Sequence, residues 1–154
     1  MLLMAAGEHC YAVPCRRVRE VISRLRLQPL PEAPHGVVGT FNYRGTMTPV
    51  VDLCQVVEGR PCSARMSSRI VIFDGLLPSG QRTLGLLAER VTQATHIELA
   101  GKTQAGIAAG TSVVIHDNAM IALLDLDALV ATVFPALSAT SKAPASYAPA
   151  EHRR

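Results

Sequence analysis

The apolar positions fall mostly into short runs separated by turn-forming residues. Runs at 2–6 and 10–13 flank Glu8-His9 and read as a hairpin. Runs at 37–43 and 46–53 flank the turn Arg44-Gly45. Pro49 in the second of these predicts an edge strand or a bulge, because proline donates no ladder hydrogen bond. Residues 69–74 (Arg-Ile-Val-Ile-Phe-Asp) form the clearest buried strand, followed by strands predicted at 84–91 and 94–99. Runs at 112–116 and 120–124 flank Asp117-Asn118, a hairpin-turn pair. Val18, Val21 and Ile22 are spaced for one helical turn, although their β-branched side chains weaken it, and Leu25, Leu27 and Leu30 show partial strand alternation. Leu53, Val56 and Val57 share a face of a short helical turn with Gly59 as its stop.

The period changes near the C-terminus. Leu126, Leu129, Val130, Val133 and Phe134 repeat as one face of an amphipathic helix. Asp125 is placed to cap it, Asp127 suits the positive end of its dipole, and Pro135 ends it. About ten short strands at even spacing and one good helix predict an all-β barrel or sandwich.

A chain of 154 residues is one domain's worth and can bury its core without a disulfide or metal staple. With 49% hydrophobic and 18% charged residues, disorder of the whole chain is excluded. Aromatic residues are 4%, without tryptophan, which supplies base stacking poorly. The net charge of +3 is modest, but Arg16, Arg17, Arg19, Arg24 and Arg26 crowd one stretch. That stretch reads as a solvated face. The alternative is a small β-barrel nucleic-acid binder using Arg16–Arg26. The apolar start is short, lacks a basic flank and runs into Glu8, so it does not read as a signal peptide, and no apolar run approaches the length of a membrane span. Cys10, Cys15, Cys54 and Cys62 form no C-x-x-C pair and read as core or surface residues of a cytoplasmic protein. Gly101, Gly106 and Gly110 mark a flexible connection. The Ala/Ser/Pro-rich tail at 136–154 is expected to be disordered, which leaves a domain at 1–135.

Catalytic motifs are weak. Gly101-Lys102-Thr103 ends like a phosphate loop, but His96 stands where the loop's first glycine is required. Asp125 and Asp127 could be half a metal site, and helix capping explains both. Ser112 with His116-Asp117 lacks the strained nucleophile turn of a hydrolase. No catalytic, cofactor or metal residues are assigned.

The specific stretch runs from Val37 to Leu53. It contains Gly39-Thr40-Phe41-Asn42-Tyr43-Arg44-Gly45 and then Pro49-Val50-Val51-Asp52-Leu53. With Tyr11-Ala12-Val13, Val18-Arg19-Glu20-Val21, Pro31-x-x-Pro34 and Leu123-Leu124-Asp125-Leu126, it resembles the signature of the CheW-like family, the coupling proteins of bacterial chemosensory arrays. The resemblance covers residues 2–134. It implies two five-stranded SH3-like β-barrels packed around an apolar interface, with a short C-terminal helix. It also implies a non-catalytic adaptor without cofactors, cytoplasmic and associated with membrane-bound receptor arrays through its partners. Those partners would be the cytoplasmic tip of a methyl-accepting chemoreceptor and the regulatory domain of a histidine kinase, with no nucleic acid and no membrane insertion. Carried over by position, the protein-binding residues would be Val18, Glu20, Gly39, Arg44 and Gly45, with Arg44 and Glu20 close together. Asn42 and Asp52 are assigned to the fold, bonding turn and loop backbone. Tyr43 departs from the family's usual leucine, and Glu89-Arg90-Val91 from its usual V-D-x-V. The sequence around Tyr43 looks more like couplers of surface-sensing or other non-flagellar pathways.

Overall fold

The computed structural model describes residues 1–99, 103–107 and 111–135, and the predicted tail at 136–154 lies outside them. β1 (Leu2–Ala6) and β2 (His9–Val13) form the first hairpin. A 3-10 turn over Cys15–Arg17 leads into β3 (Val18–Ser23). β4 (Val37–Tyr43), β5 (Thr46–Asp52), α1 (Leu53–Glu58), β6 (Arg69–Asp74) and β7 (Thr83–Ala88) follow. β8 (Arg90–Ala94), β9 (Thr103–Ile107), β10 (Thr111–His116), β11 (Ala119–Leu123) and α2 (Leu126–Val133) complete the order.

The strands make two β subdomains. One sheet has the order β8-β1-β2-β11-β10-β9 and the other β3-β6-β7-β5-β4. The second is five-stranded, as expected. The first has six, counting β9, for which the sequence predicts no strand; the strand predicted at 84–91 breaks at Glu89 into β7 and β8, which serve different sheets. Val18 to Ser23, spaced for a helical turn, is instead a strand. Its β-branched residues pair with β6 through Val18↔Phe73 and Ile22↔Ile70. Of the strand expected at 94–99, only Ala94 belongs to β8, while Ile97 is buried in a small cluster with Ala12, Val114 and Ile121. The glycine-marked connection contains β9, paired with β10. Leu25 and Leu27 lie outside any strand; their segment touches the sheet through one bridge, Gln28↔Thr40. Pro49 is not on an edge strand, but β7 pairs only with Val50, Val51 and Asp52, so the proline precedes that ladder.

Local chemistry explains the helices and turns. Asp52 accepts from the Gln55 amide and caps α1, and Gly59 ends it in the left-handed region. Asp125 accepts from the amides of Asp127 and Ala128 and caps α2, which buries Leu126, Leu129, Val130 and Val133. Asp117 and Asn118 both have positive φ, as a tight hairpin of this type requires. The main core joins both sheets and α2, with Phe73, Met4, Leu53, Ile70 and Leu129 fully buried in it. Cys54 and Cys62, expected as isolated residues, are joined in a buried disulfide from α1 to the loop that follows it.

The chain passes twice between the sheets, and one charged side chain holds each crossing. At the first, Arg17 donates to the Asp74 carbonyl at the end of β6 and to both carboxylate oxygens of Asp127 on α2, at 2.7–3.1 Å. At the second, Glu89 is 4% exposed. Its Oε2 accepts from the Gly7 amide at 2.8 Å; its Oε1 accepts from the Ser63 amide and Arg60 Nη1, both at 2.9 Å. Gly7 belongs to the β1–β2 turn and Ser63 to the loop before β6, so one carboxylate ties the two subdomains together. Arg60 also pairs with Glu58 at 2.8 Å.

Arg60 and the Ser63 and Gly7 amides hold the Glu89 carboxyl down to about 2, against an ordinary value of 4.5. A depressed acid stabilises the fold fully above its ordinary value and loses that contribution as the pH falls through its folded value. Urea titrations should therefore show stability falling between about pH 4.5 and about 2. E89Q should lack this part of the acid limb. E89A should cost about 1–3 kcal/mol at neutral pH, because the Gly7 and Ser63 amides lose their acceptor while Arg60 keeps Glu58. Identical acid limbs in wild type and E89Q would refute the assignment.

Candidate functional site

β3 and β4 stand at opposite ends of the strand order in the five-stranded sheet, yet their side chains meet. The sheet therefore curls until its edges approach. Backbone closes part of the seam, where Gln28 and Thr40 exchange hydrogen bonds at 2.8 Å. Side chains close the rest. Tyr43 at the end of β4 donates its hydroxyl to Glu20 Oε2 on β3 at 2.6 Å. Arg44 Nη2 donates to the same oxygen at 3.2 Å, and its guanidinium lies over the Tyr43 ring, 5.4 Å from the centroid. The hydrogen bond to Glu20 raises the Tyr43 hydroxyl above its ordinary value, because only the neutral phenol donates.

The turn beneath this clasp is built by sequence. Arg44 and Gly45 have φ of 49° and 86°. Glycine fits the second of these without strain. Asn42 Oδ1 accepts from the Gly45 amide at 2.8 Å and fixes the turn. Arg44 is thereby presented with its side chain 77% exposed, and Glu20 is 38% exposed beside it. An ion pair this open is worth about 0–1 kcal/mol, so the contact between Arg44 and Glu20 adds little to stability.

Of the residues singled out from the sequence, Glu20, Arg44 and Gly45 come together here. Val18 lies on the same strand, half-buried and packed against the core, with a register shift between it and Glu20. Gly39 stands apart on β4 and meets the segment after β3. A Cβ there would lie 2.7 Å from the Gln28 carbonyl oxygen and 2.8 Å from Leu27 Cβ, and its φ of 153° disfavours any side chain. Asp52 serves the fold as expected, accepting from the Gln55 and Cys62 amides.

Sequence reasoning did not include Tyr43 in the site. The aromatic residue directly before Arg44, in place of an aliphatic one, was the available signal. Nor does the stretch Arg16–Arg26 present one basic face. Arg17 is engaged by Asp127, and Arg19 pairs with Asp74 at 2.5 Å. Asp125 caps α2 and Asp127 binds Arg17, so the pair is not half of a metal site. Asp52, Cys54 and Cys62 bring possible donor atoms within 4.8 Å of one another. The sulfurs are bonded to each other and each Asp52 oxygen accepts an amide hydrogen, so this group is not set to ligate. Among the described residues no helix is long and apolar enough to cross a membrane.

The clasp and the glycine contact should separate in their effects. G39A should lower stability by about 1–3 kcal/mol through backbone strain. R44A should change it by less than about 1 kcal/mol. Thermal denaturation of the two variants checks this, and equal losses would contradict it.

Comparison with known proteins agrees with this architecture. A family model described as CheW-like domain matches residues 1–134. Protein FrzA of Myxococcus xanthus is 31% identical over 94 residues, which are 61% of this chain and 56% of that protein, so the chain spans little more than half of FrzA. A chemotaxis protein CheW of Rhizobium meliloti (strain 1021) is 27% identical over 144 residues, 88% of this chain and 86% of that one. The crystal structure of the scaffolding protein TtCheW from Thermoanaerobacter tengcongensis superposes with a TM-score of 0.71 at 23% identity, covering 82% of this chain and 83% of that one.

Proposed function

The chain belongs to the CheW-like family, and from that premise we propose that it is a non-catalytic adaptor of a chemotaxis-type pathway, joining the cytoplasmic tips of chemoreceptors to the regulatory domain of a histidine kinase. The observation that carries this reading is the Glu20–Tyr43–Arg44 clasp, held on a built turn within a chain matched to the family from residue 1 to 134. A clasp that fixes a largely exposed arginine beside a carboxylate and a phenol offers a partner several polar groups in one place. Arg44 presents fork donors and Glu20 a carboxylate, so a partner surface offering a carboxylate to the one and a hydrogen-bond donor to the other fits them. Val18 and Gly45 flank the contact. Gly39 contributes by allowing the segment after β3 to lie close to β4. The adaptor works in the cytoplasm beside membrane-bound receptors, and residues 1–135 form its folded unit.

Co-sedimentation with purified receptor signalling tips and kinase regulatory domain from the same genome tests this reading. Wild type should join a ternary assembly. R44E should weaken it about tenfold or more, as expected for a central interface residue, while its melting temperature stays close to that of wild type. Folded wild type that binds neither partner would refute the adaptor reading. A ternary assembly unchanged by R44E would remove Arg44 from the interface.

A further inference from the structure

The Cys54–Cys62 disulfide is buried, but it is not sealed on all sides. A cleft of about 320 Å³ is lined by Cys62 together with Asp52, Pro61, Leu87 and the segment from Arg24 to Leu27. Cys54 does not line this cleft. The surrounding charges are unequal. Arg24 and Arg26 are exposed, and no carboxylate pairs with either among the described residues. The carboxylate within the cleft, Asp52, has each oxygen taken by an amide hydrogen. The cleft therefore carries two guanidinium groups against one carboxylate, and Cys62 is the disulfide residue that lines it.

We propose that Cys54–Cys62 is a redox-active pair reduced through this cleft by a small anionic thiol, which Arg24 and Arg26 guide to Cys62. The incoming thiolate attacks Cys62 Sγ. A bond forms between the two sulfurs, the Cys54–Cys62 bond breaks, and Cys54 leaves as a thiolate that takes a proton from solvent. A second molecule of the thiol attacks the sulfur of the first in this mixed disulfide, and Cys62 is released as a thiol. In sum, two small thiols are oxidised to their disulfide and the protein disulfide is reduced to two thiols. When reduced, the Cys62 thiol has an acceptor ready in the Leu87 carbonyl, 3.6 Å away.

The pair sits where a change of state matters. It closes the segment that carries Gly59 and Arg60, and Arg60 and Ser63 both hold Glu89 at the second crossing between the sheets. In a reducing compartment, disulfides persist mainly as catalytic or redox-sensing pairs. That last point rests on the proposed cytoplasmic setting, whereas the chemistry of the cleft does not.

The test uses the purified full-length chain without receptor or kinase, so its result is independent of adaptor function. Folded protein is incubated with reduced glutathione, which is anionic, or with cysteamine, which is cationic. The cysteines are then alkylated and mapped by mass spectrometry, with Cys10 and Cys15 as internal references. After correction for thiolate fraction, glutathione should react faster, with the first adduct on Cys62. The double variant R24E/R26E should lose about tenfold or more of that preference, and the preference should shrink with added salt. In C54S, oxidised glutathione should add to Cys62. The proposal is overturned if the pair reacts only after denaturation, if both thiols react alike in wild type, if the arginine variant reacts as wild type does, or if Cys62 of C54S stays inert while Cys15 is modified.

Discussion

The buried carboxylate of Glu89 is the constraint on which the two-sheet arrangement rests. It occupies the residue between β7 and β8, where the chain leaves one sheet for the other. A carboxylate removed from water must find donors. Here they come from the β1–β2 turn on one side and from Arg60 and Ser63 on the other. The strand breaks at Glu89 because the side chain serves that junction while its amide bonds to the Ala5 carbonyl in the opposite sheet. Arg17 does the corresponding work at the first crossing with the opposite charge, gathering the end of β6 and the start of α2. Apolar burial supplies most of the driving force for packing the sheets, but it is non-directional. The two charged residues supply the direction.

Much of the fold was legible in the sequence wherever a local rule decides the outcome. Short apolar runs bounded by turn signals located β4, β5, β6, β10 and β11, and Asp52, Gly59, Asp117-Asn118 and Asp125 behaved as caps and turns. What escaped depends on partners far along the chain. Gly7 and Glu89 are 82 residues apart, and Arg17 and Asp127 are 110 apart. Nothing near Arg17 distinguishes it from a solvated arginine. Val18–Ser23 is a strand because β6 offers it a ladder, not because of its own spacing. Cys54 and Cys62 stand 8 residues apart with no motif between them, and the turn after α1 brings them together. At the candidate site, the pairing of Glu20 with Arg44 came from family resemblance. The part of Tyr43 became visible only when the sheet closed on itself.

That closure gives the site its character. The clasp lies on a seam between two edge strands, where backbone hydrogen bonds give way to side chains. Edge strands leave amide and carbonyl groups open to other chains, and a seam closed by polar side chains blunts that tendency while leaving a recognisable surface. An adaptor needs both properties, since it must avoid indiscriminate strand pairing and still offer one chosen contact.

The order of strands also bears on how the protein is made. The five-stranded sheet uses only the unbroken stretch from β3 to β7, whereas the six-stranded sheet joins β1 and β2 to strands from the other end of the chain, with β2 parallel to β11. On the ribosome the inner subdomain has all its strands before the outer one does. The first hairpin must wait beside it, with the unpaired side of β2 open, until β11 has emerged. Until then the first two strands have only each other as neighbours, and the side chains of Met4, Ala6, Tyr11 and Val13, buried in the finished fold, lack most of their cover.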